Sequence, residues 1–181
     1  MKKILHVGCG PTPLPAGFPP SEWSEIRFDI SPDCNPDIIG NVTDLSAFPA
    51  CEFDAIFSSH NIEHLYVHDM LQSLKEFRRV LRPEGHLYII CPDLQTLGRY
   101  ISEGDLHKPL YTSPAGDVRV SDLLWGFSGH VAAGMEYMAH KYGFTAHTLA
   151  NWLAAAGFKH RLIARRLPQF ELCAIASPGE K

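Results

Sequence analysis

The sequence predicts an α/β fold: a mostly parallel β-sheet with helices packed on it, closed by a C-terminal antiparallel hairpin. Three observations carry this. Short apolar runs stop at glycine or proline, as residues 4–7 do before Gly8 and residues 87–91 before Pro92, which is how strands buried on both faces read. Between two such runs, Met70, Leu71, Leu74, Phe77, Val80 and Leu81 recur at helical spacing with charged residues interleaved. Near the end, two further short runs at 161–165 and 171–176 stand close enough to pair as a hairpin.

Taken in order, residues 4–7 form the first strand, stopped by Gly8 and Gly10. Residues 11–20 hold five prolines, and a proline lacks the N–H a helix interior needs, so a loop follows. Residues 26–30 give a second strand, 37–40 a short third and 53–58 a fourth. The helix over 70–81 ends at Pro83-Glu84-Gly85, and 87–91 is the fifth strand. Residues 94–143 lose the strand rhythm and read as one or two helices plus loops, an insert over the strand ends. A helix over 146–156 is well signalled. Thr145 can cap it, Leu149, Trp152, Leu153 and Ala156 form its apolar stripe, Gly157 closes it, and Phe144 with Leu149 suits a hydrophobic staple.

The 181 residues favour a single domain over 1–181. Sixteen basic against 20 acidic residues give a formal charge of −4, which offers no general attraction to nucleic acid or anionic lipid. Lys159, Arg161, Arg165 and Arg166 read as a solvated strand face. Five single cysteines, none in C-x-x-C spacing, indicate reduced thiols. With no secretory signal and no membrane-length apolar run, the expected location is cytoplasmic.

The chemical signal is a strand, then Gly8-Cys9-Gly10, then Asp29 ending the next strand. Glycine lets backbone approach a ligand closely, and an acid about 20 residues on can accept both ribose hydroxyls of an adenosine cofactor. A dinucleotide would also need a helix N-terminus to hold its pyrophosphate. Pro11, Pro13 and Pro15 stand there instead, which favours a cofactor without phosphate.

Five segments in order then resemble the class I S-adenosylmethionine (SAM)-dependent methyltransferases, especially the small type-11-like group: LHVGCG (5–10), RFDI (27–30), GNVTDL (40–45), FDAIFSSHNIEHL (53–65) and RRVLRPEGHLYIICPD (78–93). The resemblance implies a Rossmann-like methyltransferase sheet and SAM as methyl donor. It places Gly8 and Gly10 beside the methionine part and Asp29 on the ribose. Asn41 with the backbone of Val42 would hold the adenine edge, Asp44 would be a second adenine contact, and Ser58 or Ser59 would meet the amino-acid end. Two early helices are shortened relative to the family: one becomes the proline-rich loop, and the other has only residues 31–36. A parallel crossover normally takes about a dozen residues, so the third strand is expected to be irregular or at the sheet edge.

The acceptor is expected to be a small-molecule or glycan-like nucleophile, a hydroxyl or amine, with residues 94–143 as a lid. His130, His140 and His147 lie in or next to that segment. His140 is the preferred proton acceptor, and His60 is a second catalytic candidate in the loop after the fourth strand. Trp125, Phe127, Tyr137 and Tyr142 either line the acceptor pocket or pack in the core. Two rival readings stand beside this one. One is a SAM-binding module without catalysis. The other is a zinc hydrolase built on His60-x-x-Glu63-His64, which requires both histidines on one helical face.

Overall fold

The two glycines that stop the first strand lie at the middle of a seven-stranded sheet. In the computed structural model, which describes residues 1–113, 116–167 and 169–179, the strands are β1 (Lys2–Val7), β2 (Trp23–Asp29), β3 (Ile38–Ile39), β4 (Phe53–Ser59), β5 (Leu81–Pro92), β8 (His160–Arg166) and β9 (Glu171–Ser177), in the order β3-β2-β1-β4-β5-β9-β8. β1 to β5 run parallel, and β9 joins β5 antiparallel with β8 outside it. The α/β class, the parallel sheet and the closing hairpin are therefore as expected. β3 is only two residues long and sits at the edge, as the short crossover requires.

Period-two alternation gives the sheet two apolar faces. Leu5, Val7, Ile56, Leu87 and Ile89 belong to the main core, with α1 (Val67–Val80) and α5 (Ala146–Ala155) packed over it through Met70, Leu74, Phe77, Leu149 and Leu153. Ile4, Ala55 and Phe57 point the other way, and the proline-rich loop covers them with Leu14 and Phe18. The Phe18 ring lies 5.3 Å from Trp23, 5.2 Å from Tyr88 and 5.9 Å from Phe57. Full burial of an aromatic of this size is worth about 1.5–3 kcal/mol, and the half-buried Phe18 gains part of it, so an irregular segment does the covering that a helix would otherwise do.

Two local expectations need correction. Pro83-Glu84-Gly85 does not separate helix from strand. β5 starts directly after α1, pairing Leu81 with Phe53, and a register shift between Phe53 and Ala55 absorbs the extra residues, which is how a strand accommodates proline. The insert also holds more than helices and loops. It contains α2 (Leu94–Ser102), an antiparallel pair β6 (Pro109–Ser113) and β7 (Gly116–Arg119), α3 (Val120–Trp125), α4 (Ser128–Ala132) and a 3-10 turn at Glu136–Met138. Its Leu97, Val118 and Leu123 form with Phe170, just before β9, a small apolar cluster separate from the main core. Between insert and α5, Thr145 accepts the Thr148 N–H at 3.2 Å and caps α5, while Phe144 and Leu149 are both fully buried.

Candidate active site

The carboxyl ends of β1, β2, β4 and β5 open onto a cavity of about 800 Å³, within the size range of small-molecule sites. Open α/β sheets place ligands at this end. Gly8 and Gly10, both at positive φ (60° and 50°), make the turn that forms part of its wall. A Cβ on Gly8 would lie 2.5 Å from Asn61 Cγ, so the β4 loop packs directly on this backbone. A Cβ on Gly10 would meet nothing within 4 Å. That glycine serves the turn conformation and leaves the wall open.

Asp29 ends β2 and is only 8% exposed. Its Oδ2 accepts the Gly10 N–H at 2.8 Å and its Oδ1 the Ser31 N–H at 2.9 Å. Each carboxylate oxygen has two acceptor positions, so both can take a further hydroxyl. Arg27 donates to the carbonyls of Gly10 and, at 3.2 Å, Thr12, tying the proline-rich loop to β2. No α-helix begins after Gly10, so the array of free N–H groups that would hold a pyrophosphate is not built here. Burial pushes the Cys9 thiol up to about 12, which keeps it protonated and unreactive.

The other side of the cavity carries paired charge. His60, itself at φ 49°, places Nε2 2.8 Å from Glu171 Oε1 and Nδ1 3.3 Å from Glu63 Oε1. Burial opposes its protonation, but the two carboxylates outweigh it and hold the imidazolium up to about 10. Arg166 Nε donates to the other oxygen of Glu171 at 2.8 Å. His64 also lines the cavity, with its ring 4.9 Å from that of His140. From the insert come His130, Met135, Tyr137 and Met138. The Tyr137 hydroxyl donates to Ser31 Oγ at 3.3 Å, so the insert reaches the turn that holds Asp29.

Residues 5–89 match the family model for a methyltransferase domain. This part of the chain resembles a methyltransferase domain. A probable methyltransferase of Aspergillus luteorubrus is 36% identical over 107 residues, covering 46% of this chain and 38% of that protein; the chain thus spans well under half the length of this relative. Among solved structures, a Pyrococcus horikoshii protein is 18% identical with a TM-score of 0.65, covering 98% of this chain and 82% of its own. The Burkholderia thailandensis 1,6-didemethyltoxoflavin-N1-methyltransferase, solved with 1,6-didemethyltoxoflavin and S-adenosylhomocysteine, is 15% identical with a TM-score of 0.60, covering 99% and 72%. These structures share the fold.

Among the residues expected at the site, Gly8, Gly10, Asp29, Ser59 and His60 line the cavity. Asn41, Val42, Asp44 and Ser58 do not. Asn41 and Asp44 use their carboxamide and carboxylate as turn acceptors for Thr43 N–H and Ser46 N–H at 3.0 and 2.9 Å. Val42 is buried in the main core, and Ser58 is fully buried, with Asn61 Nδ2 3.4 Å away. Residues 30, 31 and 33, just after Asp29, face the cavity instead. Ile30 is 51% exposed there, and an apolar residue adjoining the acid was the available signal.

His140 sits one ring back from the wall. Its Nδ1 donates to the Leu123 carbonyl at 3.1 Å, and burial holds its pKa down despite Glu63. From residues 94–143, His130 stands at the wall, and its Nδ1 is buried without a partner among the described residues. His147 is engaged with Asn151. Of the four aromatics, Tyr137 lines the cavity, Phe127 packs edge-on against the His130 ring, Tyr142 packs on Phe144 and Trp152, and Trp125 is 58% exposed. The His60–His64 segment contains only a three-residue 3-10 turn, Ile62–His64, so the helical face that the zinc-hydrolase pattern needs is not formed. No helix among the described residues is long and apolar enough to cross a membrane.

Proposed function

We propose that this chain transfers a methyl group from SAM to a hydroxyl or amine of a small-molecule or glycan-like acceptor, with residues 94–143 acting as the lid of a single domain. The observation that carries the reading is Asp29. A carboxylate cradled by two backbone N–H groups beside a glycine turn suits a vicinal diol, and the missing helix N-terminus suits a cofactor without phosphate. SAM, when bound, supplies a methyl group already activated on a sulfonium.

The protein's own part is then to align two partners and keep water out. Gly8 and Gly10 admit the donor close to the backbone, Asp29 takes the ribose, and Ile30 with Ser31 offers the base-binding surface expected at Asn41, Val42 and Asp44. Ser59 and Asn61 face the amino-acid end. The His60 imidazolium, held between Glu63 and Glu171, keeps its proton at neutral pH, so its part is electrostatic rather than that of a base. His130, at the acceptor wall, is better placed than His140 to take a proton from the nucleophile. All five cysteines are free, in keeping with a reducing, cytoplasmic setting.

The test is to incubate the protein with methyl-labelled SAM and panels of small hydroxyl, amine and glycan acceptors. Label should move to one acceptor class, and Asp29→Ala should slow the transfer sharply at SAM concentrations that do not saturate the variant. Tight S-adenosylhomocysteine binding with no labelled acceptor in any panel would favour the non-catalytic SAM-binding reading.

A further inference from the structure

Glu63 is a buried carboxylate whose surroundings are unusual. It is 1% exposed, and neither carboxylate oxygen has a hydrogen-bond partner among the described residues. His60 Nδ1 approaches Oε1 at 3.3 Å outside hydrogen-bonding geometry, and that imidazole is already committed to Glu171 through Nε2 at 2.8 Å. A buried carboxylate ordinarily collects several donors. What surrounds this one instead is imidazole nitrogen. One carboxylate oxygen of Glu63 and one ring nitrogen each of His64 and His140 lie within 4.8 Å of one another.

The tautomers fit a ligand set. His64 donates from Nδ1 to the Ala139 carbonyl at 3.2 Å and His140 from Nδ1 to the Leu123 carbonyl at 3.1 Å. A carbonyl can only accept, so in each neutral ring Nε2 keeps its lone pair. Metal-binding histidines are fixed in this way, with the far N–H on a backbone carbonyl. The backbone holds the three together. The Glu63 carbonyl accepts the Lys141 N–H at 2.8 Å and the Tyr142 N–H at 3.1 Å, and the His140 N–H donates to the Trp125 carbonyl at 3.0 Å. Gly126 permits this approach, because a Cβ there would lie 2.3 Å from the Met138 carbonyl oxygen.

We propose that Glu63, His64 and His140 bind one divalent transition-metal cation of the zinc class at the wall of the cavity. Ligands at about 2.0–2.2 Å from a tetrahedral ion lie about 3.3–3.6 Å apart, so side-chain rotations closing at most about 1.5 Å complete the set. Two histidines and one carboxylate leave a fourth position free, and His64 places the site at the cavity lining. This set differs from the His60, Glu63, His64 pattern visible in the sequence, because His60 is taken by Glu171 and the third ligand comes from the insert. The site does not depend on methyl transfer, and its test does not read activity.

Tag-free protein is stripped with a chelator, dialysed and titrated with Co²⁺, whose visible absorption reports coordination. One Co²⁺ per chain should bind with the intense bands of a four-coordinate site, and Zn²⁺ should displace it. His140→Ala should weaken Co²⁺ binding at least tenfold and change the spectrum, with the fold followed by circular dichroism. His147→Ala, which alters an exposed histidine outside the cluster, should leave both unchanged. If His140→Ala fails to fold, His64→Gln and Glu63→Gln provide the same reading. Absence of stoichiometric binding by the parent protein, or equal affinity and spectrum in the folded ligand variants, overturns the proposal.

Discussion

Replacing Asp29 by alanine separates what this carboxylate does for the fold from what it does for the ligand. In the free protein the change orphans the Gly10 and Ser31 N–H groups, which now donate at 2.8 and 2.9 Å. An unsatisfied buried donor costs about 1–3 kcal/mol. Both groups would open onto cavity water once the side chain is gone, so the stability loss should lie near the lower end. Binding should suffer more. Hydrogen bonds to a charged acceptor are worth about 1.5–3 kcal/mol each, and two ribose hydroxyls converge on this one group. Allowing for water that partly replaces them in the variant, the loss is about 1.5–3 kcal/mol, or roughly 10–150-fold in Kd. Calorimetric titration with S-adenosylhomocysteine measures this directly, and urea unfolding measures the structural part. Asp29→Asn, which keeps one acceptor oxygen but turns an NH₂ toward one of the two N–H groups, should fall between. A Kd for Asp29→Ala within about twofold of the parent would place the ribose elsewhere.

Two further predictions concern the frame. Glu76 accepts from Arg79 Nε and Nη2, both at 2.7 Å, and from the Leu45 N–H at 3.0 Å, while Arg79 also holds the Phe48 and Leu45 carbonyls. The Arg79 hydrogen bonds keep the Glu76 carboxyl below its ordinary 4.5. Its stabilisation is therefore complete above that value and lost as pH falls below it through the lower folded value. Glu76→Gln should cost about 1–3 kcal/mol in urea unfolding at neutral pH, with the gap narrowing well below pH 4.5; a gap that stays constant contradicts this. Residues 94–143 should exchange amide hydrogen faster than β1, β4 and β5, and slow when S-adenosylhomocysteine binds, because their own apolar cluster is small. Core-like protection in the free protein would make the insert a fixed cap.

Much of the frame was legible because it rests on local pattern. The strand stops at Gly8 and Gly10, the capped α5 and the closing hairpin each announce themselves in a few adjacent residues. So did the edge position of β3, since six residues cannot make a full crossover. Pro83-Glu84-Gly85 misled because a turn signal in sequence became a bulge once pairing with Phe53 was available. The β6–β7 pair escaped because its few apolar residues pack on Phe170, far along the chain. Within the site, Gly8, Gly10, Asp29, Ser59 and His60 were readable from their places at strand ends. The choice among His130, His140 and His147 was not, because it depends on how α3, α4 and the following turn stack over the sheet. The union of Glu63 and His64 with His140 was hidden for the same reason: it forms through backbone bonds between the β4 loop and residues 139–142.

The central claim, a SAM site on this sheet, is tested most directly by calorimetric titration of the unmodified protein with S-adenosylhomocysteine and, in parallel, with NAD. One S-adenosylhomocysteine should bind per chain, and NAD should give no saturable heat, because no helix N-terminus follows Gly10 to hold a pyrophosphate. NAD binding more tightly than S-adenosylhomocysteine, or no S-adenosylhomocysteine binding at all by the folded protein, would contradict the account.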